Sequence, residues 1–147
     1  MLSQKEINEI RSFNRKYTDQ LGLLNKQVFN TGFSFQESRV LLEIGSHSSL
    51  SPMEVAKNLD MDASYTSRII NKLVKLKLVT KHESKEDARS KILLLTKSGQ
   101  ELFDRIDDDS NKQIQHLVSN IPAQKQKELY KSLTTAYDIL FKNESEN

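Results

Sequence analysis

The strongest constraint on the fold of this chain is a pair of short helix signals that a turn of three residues separates. The first signal is residues 51–54 (SPME), a capping box with proline at the first helical position, where the missing N–H of proline removes no hydrogen bond. That helix is predicted to end near Leu59, and the last residue of the turn 60–62 (DMD) caps a second helix that runs to about Leu76. Two short helices joined in this way are the sequence form of a helix-turn-helix.

Each predicted helix has an apolar and a polar face. The apolar faces are expected to form a shared core from Val55, Ala56, Leu59, Met61, Thr66, Ile69, Leu73 and Leu76. The polar face of the second helix carries side chains of the kinds that contact phosphates and base edges in DNA, namely Ser64, Tyr65, Ser67, Arg68, Asn71 and Lys72. Taken alone, that face fits an ordinary solvated helix surface equally well.

A β-hairpin is predicted directly after the second helix. Residues 79–83 (VTKHE) and 91–95 (KILLL) have the composition of short strands, and a charged connection separates them. Such a hairpin is the wing of a winged helix, whose tip lies near the minor groove when the helix occupies the major groove. We expect the Asp87 carboxylate to hold the Arg89 guanidinium by a charge-assisted pair. The wing residues expected to meet DNA are Lys85, Asp87, Arg89 and Lys91.

The positive charge of the chain is concentrated in one segment. Residues 68–97 carry nine Lys or Arg against three acidic side chains, a net +6, whereas the whole chain is +2. A polyanion gains most from cationic charge that is confined to one region. The pattern therefore favours a protein that binds double-stranded DNA. The alternative is a winged-helix adaptor for protein interaction or dimerisation, which would not need such a segment.

Amphipathic helices flank this module on both sides. Apolar spacing predicts one helix over residues 4–29, and a capping box at Ser34 begins the next. Residues 97–119, with Thr96 as their cap, and a helix that begins at Pro122 continue the pattern. The small module can pack one such helix, so a second copy of the chain is the economical partner for the remaining apolar stripes. The residues expected in this homodimer interface are Ile7, Ile10, Leu129, Leu133, Tyr137 and Leu140.

Several short motifs together resemble the MarR family of bacterial transcription regulators. The motifs are residues 87–89 (DAR) with Leu95, Thr96 and Gly99 in the wing, and residues 53–59 (MEVAKNL) and 64–69 (SYTSRI) in the helix-turn-helix. Residues 12–44 also look like the regulator half of proteins that fuse a MarR module to an acetyltransferase. The chain stops before any such domain, so no acetyltransferase activity is expected.

The resemblance implies a mainly α fold, a winged helix-turn-helix with a two-stranded β-hairpin wing and long N- and C-terminal dimerisation helices. It divides the single domain of residues 1–147 into a DNA-binding winged helix (34–96) and dimerisation helices (1–30 and 97–143). Lys77 departs from the family, which usually has glycine there to end the recognition helix in a left-handed conformation. Because lysine seldom adopts a positive φ, the departure predicts a helix end that is built differently.

The resemblance also implies a function. A homodimer of this family is expected to bind a palindromic operator and to act as a repressor. Its two DNA-binding winged helices are related by two-fold symmetry, and so are the two half-sites of a palindrome. Family members often bind small phenolic or lipophilic effectors between the dimerisation helices and the DNA-binding winged helix. Tyr17, Leu21 and Ile44 would line such a pocket, and they fit a plain core as well.

Catalytic and metal sites are not expected from the remaining residues. His47, His82 and His116 lack ligand spacing, and Glu101, Asp104 and Asp108 fit a solvated helix face better than a cation site. There is no phosphate-binding glycine loop and no nucleophile motif, so we expect neither an enzyme nor a cofactor. The lack of cysteine excludes disulfides and thiolate metal sites. Without a signal sequence or an apolar run of the ~18 residues that span a membrane, a cytoplasmic protein is expected.

Overall fold

The computed structural model describes residues 1–22, 31–87 and 89–142. These residues fall into two compact units, Met1–Ser110 and Asn111–Asn147. The helices and strands of the described residues are, in chain order, α1 (Gln4–Leu21), α2 (Phe35–Ser46), α3 (Pro52–Asn58), α4 (Ala63–Lys75), β1 (Val79–Glu83), β2 (Lys91–Leu95), α5 (Lys97–Val118) and α6 (Ala123–Phe141). The predicted mainly α fold with one two-stranded hairpin is confirmed.

Side-chain caps begin the helices where the sequence predicts them. The Ser34 hydroxyl accepts the N–H of Glu37 at 3.1 Å, and the Ser51 hydroxyl accepts the N–H of Glu54 at 3.2 Å. In both capping boxes the glutamate also accepts the N–H of its own capping serine. These bonds satisfy N–H groups that the first turn of a helix leaves without a partner. The predicted caps of α2 and α3 are confirmed.

The first helix is shorter than the sequence predicts. It ends at Leu21, and Gly22 follows as its C-cap in the left-handed conformation, with φ 64°. The prediction of one helix over residues 4–29 is therefore wrong at Gly22, because the residue without a Cβ takes the backbone geometry that ends a helix. Leu24 and Val28, which belonged to that prediction, lie outside the described residues.

The turn between α3 and α4 is a Schellman motif centred on Asp60. Asp60 has φ 50°, and its N–H donates to the Lys57 carbonyl at 3.1 Å. The Met61 N–H donates to the Ala56 carbonyl at 2.9 Å, which completes the motif. The Asp62 carboxylate then accepts the N–H of Tyr65 at 2.8 Å and begins α4. The helix-turn-helix and its predicted Asp62 cap are both confirmed.

The hairpin has the predicted limits and joins the helical core through β2. Its antiparallel register pairs Val79 with Leu95 and Glu83 with Lys91. Leu93 is fully buried, and its N–H donates to the carbonyl of Leu50 at 2.8 Å. Since Leu50 precedes α3, this bond connects the wing to the helix-turn-helix.

The core of the first unit is built from α2, α3, α4, the hairpin and α5. Its most buried side chains are Val40, Leu41, Ile44, Val55, Thr66, Ile70, Leu73, Val79, Leu93 and Ile106. The Thr66 hydroxyl donates to the Asp62 carbonyl at 2.8 Å, which satisfies this buried polar group. Leu76 was predicted as core and is 49% exposed, because it is the C-cap residue where the chain leaves α4 and turns toward β1.

The end of α4 has the left-handed geometry that glycine usually provides, although the residue is a lysine. Lys77 has φ 62°, and its N–H donates to the Val74 carbonyl at 3.0 Å. The Leu78 N–H donates to the Leu73 carbonyl at 3.0 Å, so the helix ends in a second Schellman motif. The expectation that this end is built differently is wrong, since Lys77 itself adopts the left-handed conformation.

The residues that follow Lys77 contact the beginning of α5. The Thr96 hydroxyl donates to the Lys77 carbonyl at 2.7 Å, and the Thr96 N–H donates to the Leu78 carbonyl at 3.0 Å. The same hydroxyl accepts the Gly99 N–H at 3.0 Å, which confirms Thr96 as the cap of α5. A Cβ at Gly99 would lie 2.0 Å from the Leu78 carbonyl oxygen. Only glycine allows this close approach of two main-chain segments.

The second unit contains the end of α5 and the whole of α6. The last helix was predicted to begin at Pro122; it begins one residue later, at Ala123, and Pro122 is its N-cap, without a side-chain cap bond. The Gln126 amide instead reaches back and donates to the carbonyls of Val118 at 3.0 Å and Ile121 at 2.9 Å. These bonds satisfy carbonyls that the end of α5 leaves without helical partners.

We predict that Lys77→Gly stabilises the protein. A left-handed backbone costs a residue with a Cβ roughly 1–2 kcal/mol. Glycine removes this cost and loses more chain entropy on folding, so a net gain of about 0.5–1 kcal/mol is expected. Urea denaturation of the variant and the wild type measures the gain.

Lys75→Gly is the matched control for this measurement. Lys75 is an exposed residue with helical geometry in the last turn of α4, where glycine lowers stability. A loss of stability in Lys77→Gly as large as that in Lys75→Gly would contradict the left-handed helix end.

Candidate nucleic-acid interface

The polar face of α4 is exposed along its whole length. Its first residues follow the Asp62 cap, and its buried side chains lie on the opposite face, toward the core. This arrangement places at the surface all six residues of α4 that were predicted to contact DNA: Ser64, Tyr65, Ser67, Arg68, Asn71 and Lys72.

Arg68 lies over the ring of Tyr65 at the middle of this face. The guanidinium carbon is 5.6 Å from the ring centroid, a distance at which a cation is attracted by the face of the ring. The contact restricts the long side chain before any ligand is bound. It leaves the edge of the guanidinium, with its fork of N–H donors, available for a phosphate or a base edge.

Asn71 is bonded to the hairpin rather than to its own helix. The Lys81 ammonium on β1 donates to the Asn71 side-chain oxygen at 2.9 Å. Because this bond uses the oxygen, the NH₂ group of Asn71 is the part that can meet an acceptor outside the protein. Sequence reasoning did not include Lys81 among the site residues. Its signals were its place in the cationic segment and the alternation of side chains along β1.

Lys72 forms an ion pair with Glu37, the third residue of α2. The Lys72 ammonium donates to one carboxylate oxygen of Glu37 at 2.5 Å and lies 5.9 Å from the centre of the Phe33 ring. The other carboxylate oxygen accepts the N–H of Ser34 at 2.9 Å. The Glu37 side chain is only 13% exposed. Sequence reasoning missed this pair because nothing in the sequence links two residues that are 35 positions apart.

The environment of Glu37 favours its charged form. Burial of the carboxyl raises its pKa, but the hydrogen bonds from Lys72 and Ser34 and the charge of Lys72 outweigh burial and hold the pKa below its ordinary value of 4.5. The Glu37 carboxyl is therefore ionised at neutral pH. Lys72 meets its counter-ion within the protein.

The tip of the hairpin is a folded loop with its own hydrogen bonds. The Ser84 N–H donates to the Ser90 carbonyl at 3.1 Å, and the Ser90 N–H donates to the Asp87 carbonyl at 3.0 Å. The Asp87 carboxylate accepts the main-chain N–H of Arg89 at 2.9 Å. Within the described ranges no ion pair joins Asp87 to the Arg89 guanidinium, so the expected charge-assisted pair is corrected to a bond that shapes the main chain.

The predicted wing residues all lie at the surface of this loop. Lys85, Asp87, Arg89 and Lys91 are exposed. Lys91 is 3.5 Å from the carboxylate of Glu83, its partner in the strand register, and both side chains remain largely in solvent. A pair in this setting is weak, so it does not withhold Lys91 from another anion.

The residues predicted to line an effector pocket lie in different surroundings. Tyr17 stacks on Phe13 with ring centroids 5.3 Å apart, and Leu21 is half-buried. Ile44 belongs to the core and borders a groove of about 290 Å³. The other residues that line this groove are Gly45, His47, Ser48, Leu94, Leu95 and Gln100. The groove thus includes one of the three predicted residues.

The predicted interface residues lie on α1 and α6, and four of the six are exposed. Ile7 and Ile10 are exposed on α1. On α6, Tyr137 is 59% and Leu140 64% exposed, whereas Leu129 and Leu133 are half-buried. Large apolar side chains in a row at the surface are typical of a face that a partner covers.

Among the residues that the structure describes, no helix is both long and apolar enough to cross a bilayer. Within the same residues, the His, Asp and Glu side chains form no group of three or more that could hold a metal ion.

Comparison with known proteins connects these features to one family. The family model that matches, described as MarR family, covers residues 31–90. An uncharacterised HTH-type transcriptional regulator of Staphylococcus aureus (strain Mu50) is 26% identical over 144 residues, which is 97% of this chain and 97% of the relative.

Solved structures show the same fold over nearly the whole chain. S. aureus MarR in complex with salicylate and kanamycin is 26% identical with a TM-score of 0.72, over 97% of this chain and 94% of that one. Streptococcus pneumoniae FabT in complex with DNA is 20% identical with a TM-score of 0.73, over 94% of this chain and 97% of that one. The predicted winged helix is confirmed by these similarities.

We predict that the Glu37 pair stabilises the protein in a pH-dependent way. Glu37→Gln should be less stable than the wild type at neutral pH by about 1 kcal/mol, as expected when a charge-assisted hydrogen bond with one exposed partner is lost. A depressed folded-state pKa gives stability that is present above the unfolded value and is lost as pH falls through the folded one. The difference should therefore shrink as the pH falls below 4.5 and vanish once the pH is below the lowered folded-state pKa of Glu37, measured by urea denaturation across the acidic range.

Glu54→Gln is the control for this series. Glu54 has the same capping role in α3, and among the described residues it has no lysine partner. Equal losses in both variants at neutral pH would mean that Lys72 contributes nothing to stability.

Proposed function

Because the chain is similar to transcriptional regulators of the MarR family, we propose that it belongs to this family, binds double-stranded DNA with sequence specificity and represses transcription as a homodimer on a palindromic operator. The observation that carries this proposal is the arrangement of two cationic elements in one unit. The exposed face of α4 and the hairpin are joined directly by the bond from Lys81 to Asn71. The two elements therefore present their basic side chains together.

The face of α4 is the part that we assign to the major groove. An α-helix fits this groove, and base edges are read there by hydrogen-bonding side chains. The residues proposed to meet DNA are Ser64, Tyr65, Ser67, Arg68 and Asn71. Arg68 is suited to a guanine edge or a phosphate, and Asn71 offers its NH₂ group to an acceptor. Lys72, which is paired with Glu37, is considered separately below.

The tip of the hairpin is the part that we assign to the flanking minor groove. Arg89 is exposed at the tip, and the negative potential of a narrow minor groove favours an inserted arginine. Asp87 supports it indirectly by accepting the main-chain N–H of Arg89, which fixes the loop from which the guanidinium extends. Lys85 and Lys91 are proposed to contact phosphates on either side.

Known relatives support both the DNA ligand and a small effector. FabT of S. pneumoniae was solved with DNA, and MarR of S. aureus with salicylate and kanamycin. We propose that this chain responds to a small phenolic or lipophilic compound. Tyr17, Leu21 and Ile44 remain the residues proposed for that site. We further propose that the chain works in the cytoplasm, where the operator is, and carries no enzymatic activity.

A homodimer is proposed from the exposed faces of α1 and α6. These faces hold large apolar side chains at the surface of a single chain, among them Ile10, Tyr137 and Leu140. Covering them with a second copy removes that apolar area from water and brings two DNA-binding winged helices together. A dimer gains affinity for a palindrome because, once one winged helix is bound, the second binds its half-site at a high effective concentration.

We predict that Arg89→Ala weakens binding to the selected operator by about 1–3 kcal/mol, because it removes one minor-groove contact at an exposed tip. The thermal midpoint and the oligomeric state should stay unchanged. The operator is obtained by selecting bound genomic fragments, and affinity is measured by fluorescence anisotropy at physiological salt.

Arg11→Ala is the matched loss of one exposed positive charge outside the cationic segment. It should bind the operator as the wild type does. Equal affinity of Arg89→Ala and the wild type would contradict the minor-groove assignment. Failure of the wild type to bind any duplex at low salt would favour the adaptor alternative.

We predict that Leu133→Glu gives monomeric or insoluble protein and abolishes operator binding, although every proposed DNA contact is intact. The substitution places an uncompensated charge on the apolar face of α6, and two-fold symmetry puts both copies of it into the same interface. Sedimentation equilibrium should give a wild type of about twice 16.9 kDa.

Thr135→Glu is the control for this variant, because it adds the same charge about 200° around the same helix. Thr135 is exposed, and the variant should remain dimeric. A wild type that is monomeric and still binds a half-site tightly would contradict the homodimer.

A further inference from the structure

The ion pair between Glu37 and Lys72 has a consequence for DNA binding, which rests on the proposed function. Both carboxylate oxygens of Glu37 are in use, one by the Ser34 N–H at 2.9 Å and the other by the Lys72 ammonium. The carboxylate is part of the capping box of α2, so its position is fixed by a helix end. Lys72 therefore meets an anion that is already held in place.

The position of Lys72 on α4 makes this pairing important. Lys72 lies one helical turn after Arg68 and nearly one turn before Lys75, so the three cations follow one exposed stripe. Arg68 is restrained by the Tyr65 ring and has no carboxylate partner among the described residues. The middle cation of the stripe is the one that is neutralised.

A DNA phosphate would have to compete with Glu37 for Lys72. Moving Lys72 to a phosphate breaks a short charge-assisted hydrogen bond and the contact with the Phe33 ring. It also leaves a carboxylate that is only 13% exposed without its cation. An unpaired and partly buried charge is unfavourable, so the exchange gains little for the complex.

We infer that Glu37 limits the sequence-independent affinity of the recognition helix by retaining Lys72 and so withholding one phosphate contact. Non-specific binding to DNA comes almost entirely from neutralised phosphates. With Lys72 retained, more of the affinity has to come from side chains that can reach base edges, such as Arg68 and Asn71. Glu37 thus acts on DNA through Lys72, as a positioning residue that does not touch the ligand.

The test is a cycle of Glu37→Gln, Lys72→Met and the double variant, titrated with a random-sequence duplex across a salt series. In Glu37→Gln the side-chain amide oxygen can still accept the Ser34 N–H, so the cap is kept, but Lys72 loses its counter-ion. Affinity for the random-sequence duplex should therefore rise several-fold at low salt. The salt dependence should steepen by about 0.9 in log–log slope, the value for one added phosphate contact. Lys72→Met should change affinity by less than twofold, and the double variant should bind as the wild type does.

Glu54→Gln is the matched control, since it removes a capping-box charge from the same helix-turn-helix without releasing a lysine. Tightening in Glu54→Gln equal to that in Glu37→Gln would assign the effect to a general loss of negative charge and overturn the inference. Lys72→Met, which leaves Glu37 and its cap intact, gives an independent readout. A shallower salt slope in that single variant would show that Lys72 already contacts phosphate and would also overturn it.

The proposed function has a separate readout in the same titrations. Arg68→Ala should weaken binding whatever the role of Glu37, because Arg68 belongs to the proposed reading face. If the wild type showed no salt-dependent binding to any duplex, the proposed function would fail, and this inference with it. Binding that is weakened by Arg68→Ala and unchanged by Glu37→Gln would overturn the inference alone.

Discussion

The first unit depends on the contact between the end of α4 and the beginning of α5. The Leu78 carbonyl accepts the Thr96 N–H, and the Lys77 carbonyl accepts the Thr96 hydroxyl. These two bonds fix where the recognition helix ends, where the hairpin begins and ends, and where α5 starts. Gly99 allows the approach because it has no Cβ to meet the Leu78 carbonyl.

Local signals in the sequence were sufficient to predict most of the fold. Capping serines and Asp62 bind within three residues of themselves, and the hairpin strands differ in composition from their surroundings, so these limits were predicted correctly. The errors occurred where two tendencies compete. Gly22 ends α1 although the apolar spacing continues beyond it, and Leu76 has core spacing at a position where the helix has already ended.

The sequence was sufficient to predict where the candidate site lies, but not which of its side chains are bonded to one another. Amphipathicity alone places Arg68 and Asn71 at the surface, and the charge distribution marks the hairpin as cationic. No local pattern shows that Lys81 bonds to Asn71 or that Glu37 pairs with Lys72, because these bonds join separate elements across the fold. Such contacts decide which cations are available to a ligand. A count of basic residues therefore overstates the electrostatic attraction that the surface can offer to DNA.

The pairing of Leu50 with Leu93 also affects how the protein behaves at high concentration. It covers part of the outer edge of β2, so that β1 carries the longer unpaired edge among the described residues. An open strand edge is a template on which another chain can add a strand. β1 is only five residues long and carries Lys81 and Glu83, and short, charged edge strands resist such addition. The charges by which we propose that the wing attracts a polyanion thus also disfavour the addition of another chain to the edge of the hairpin.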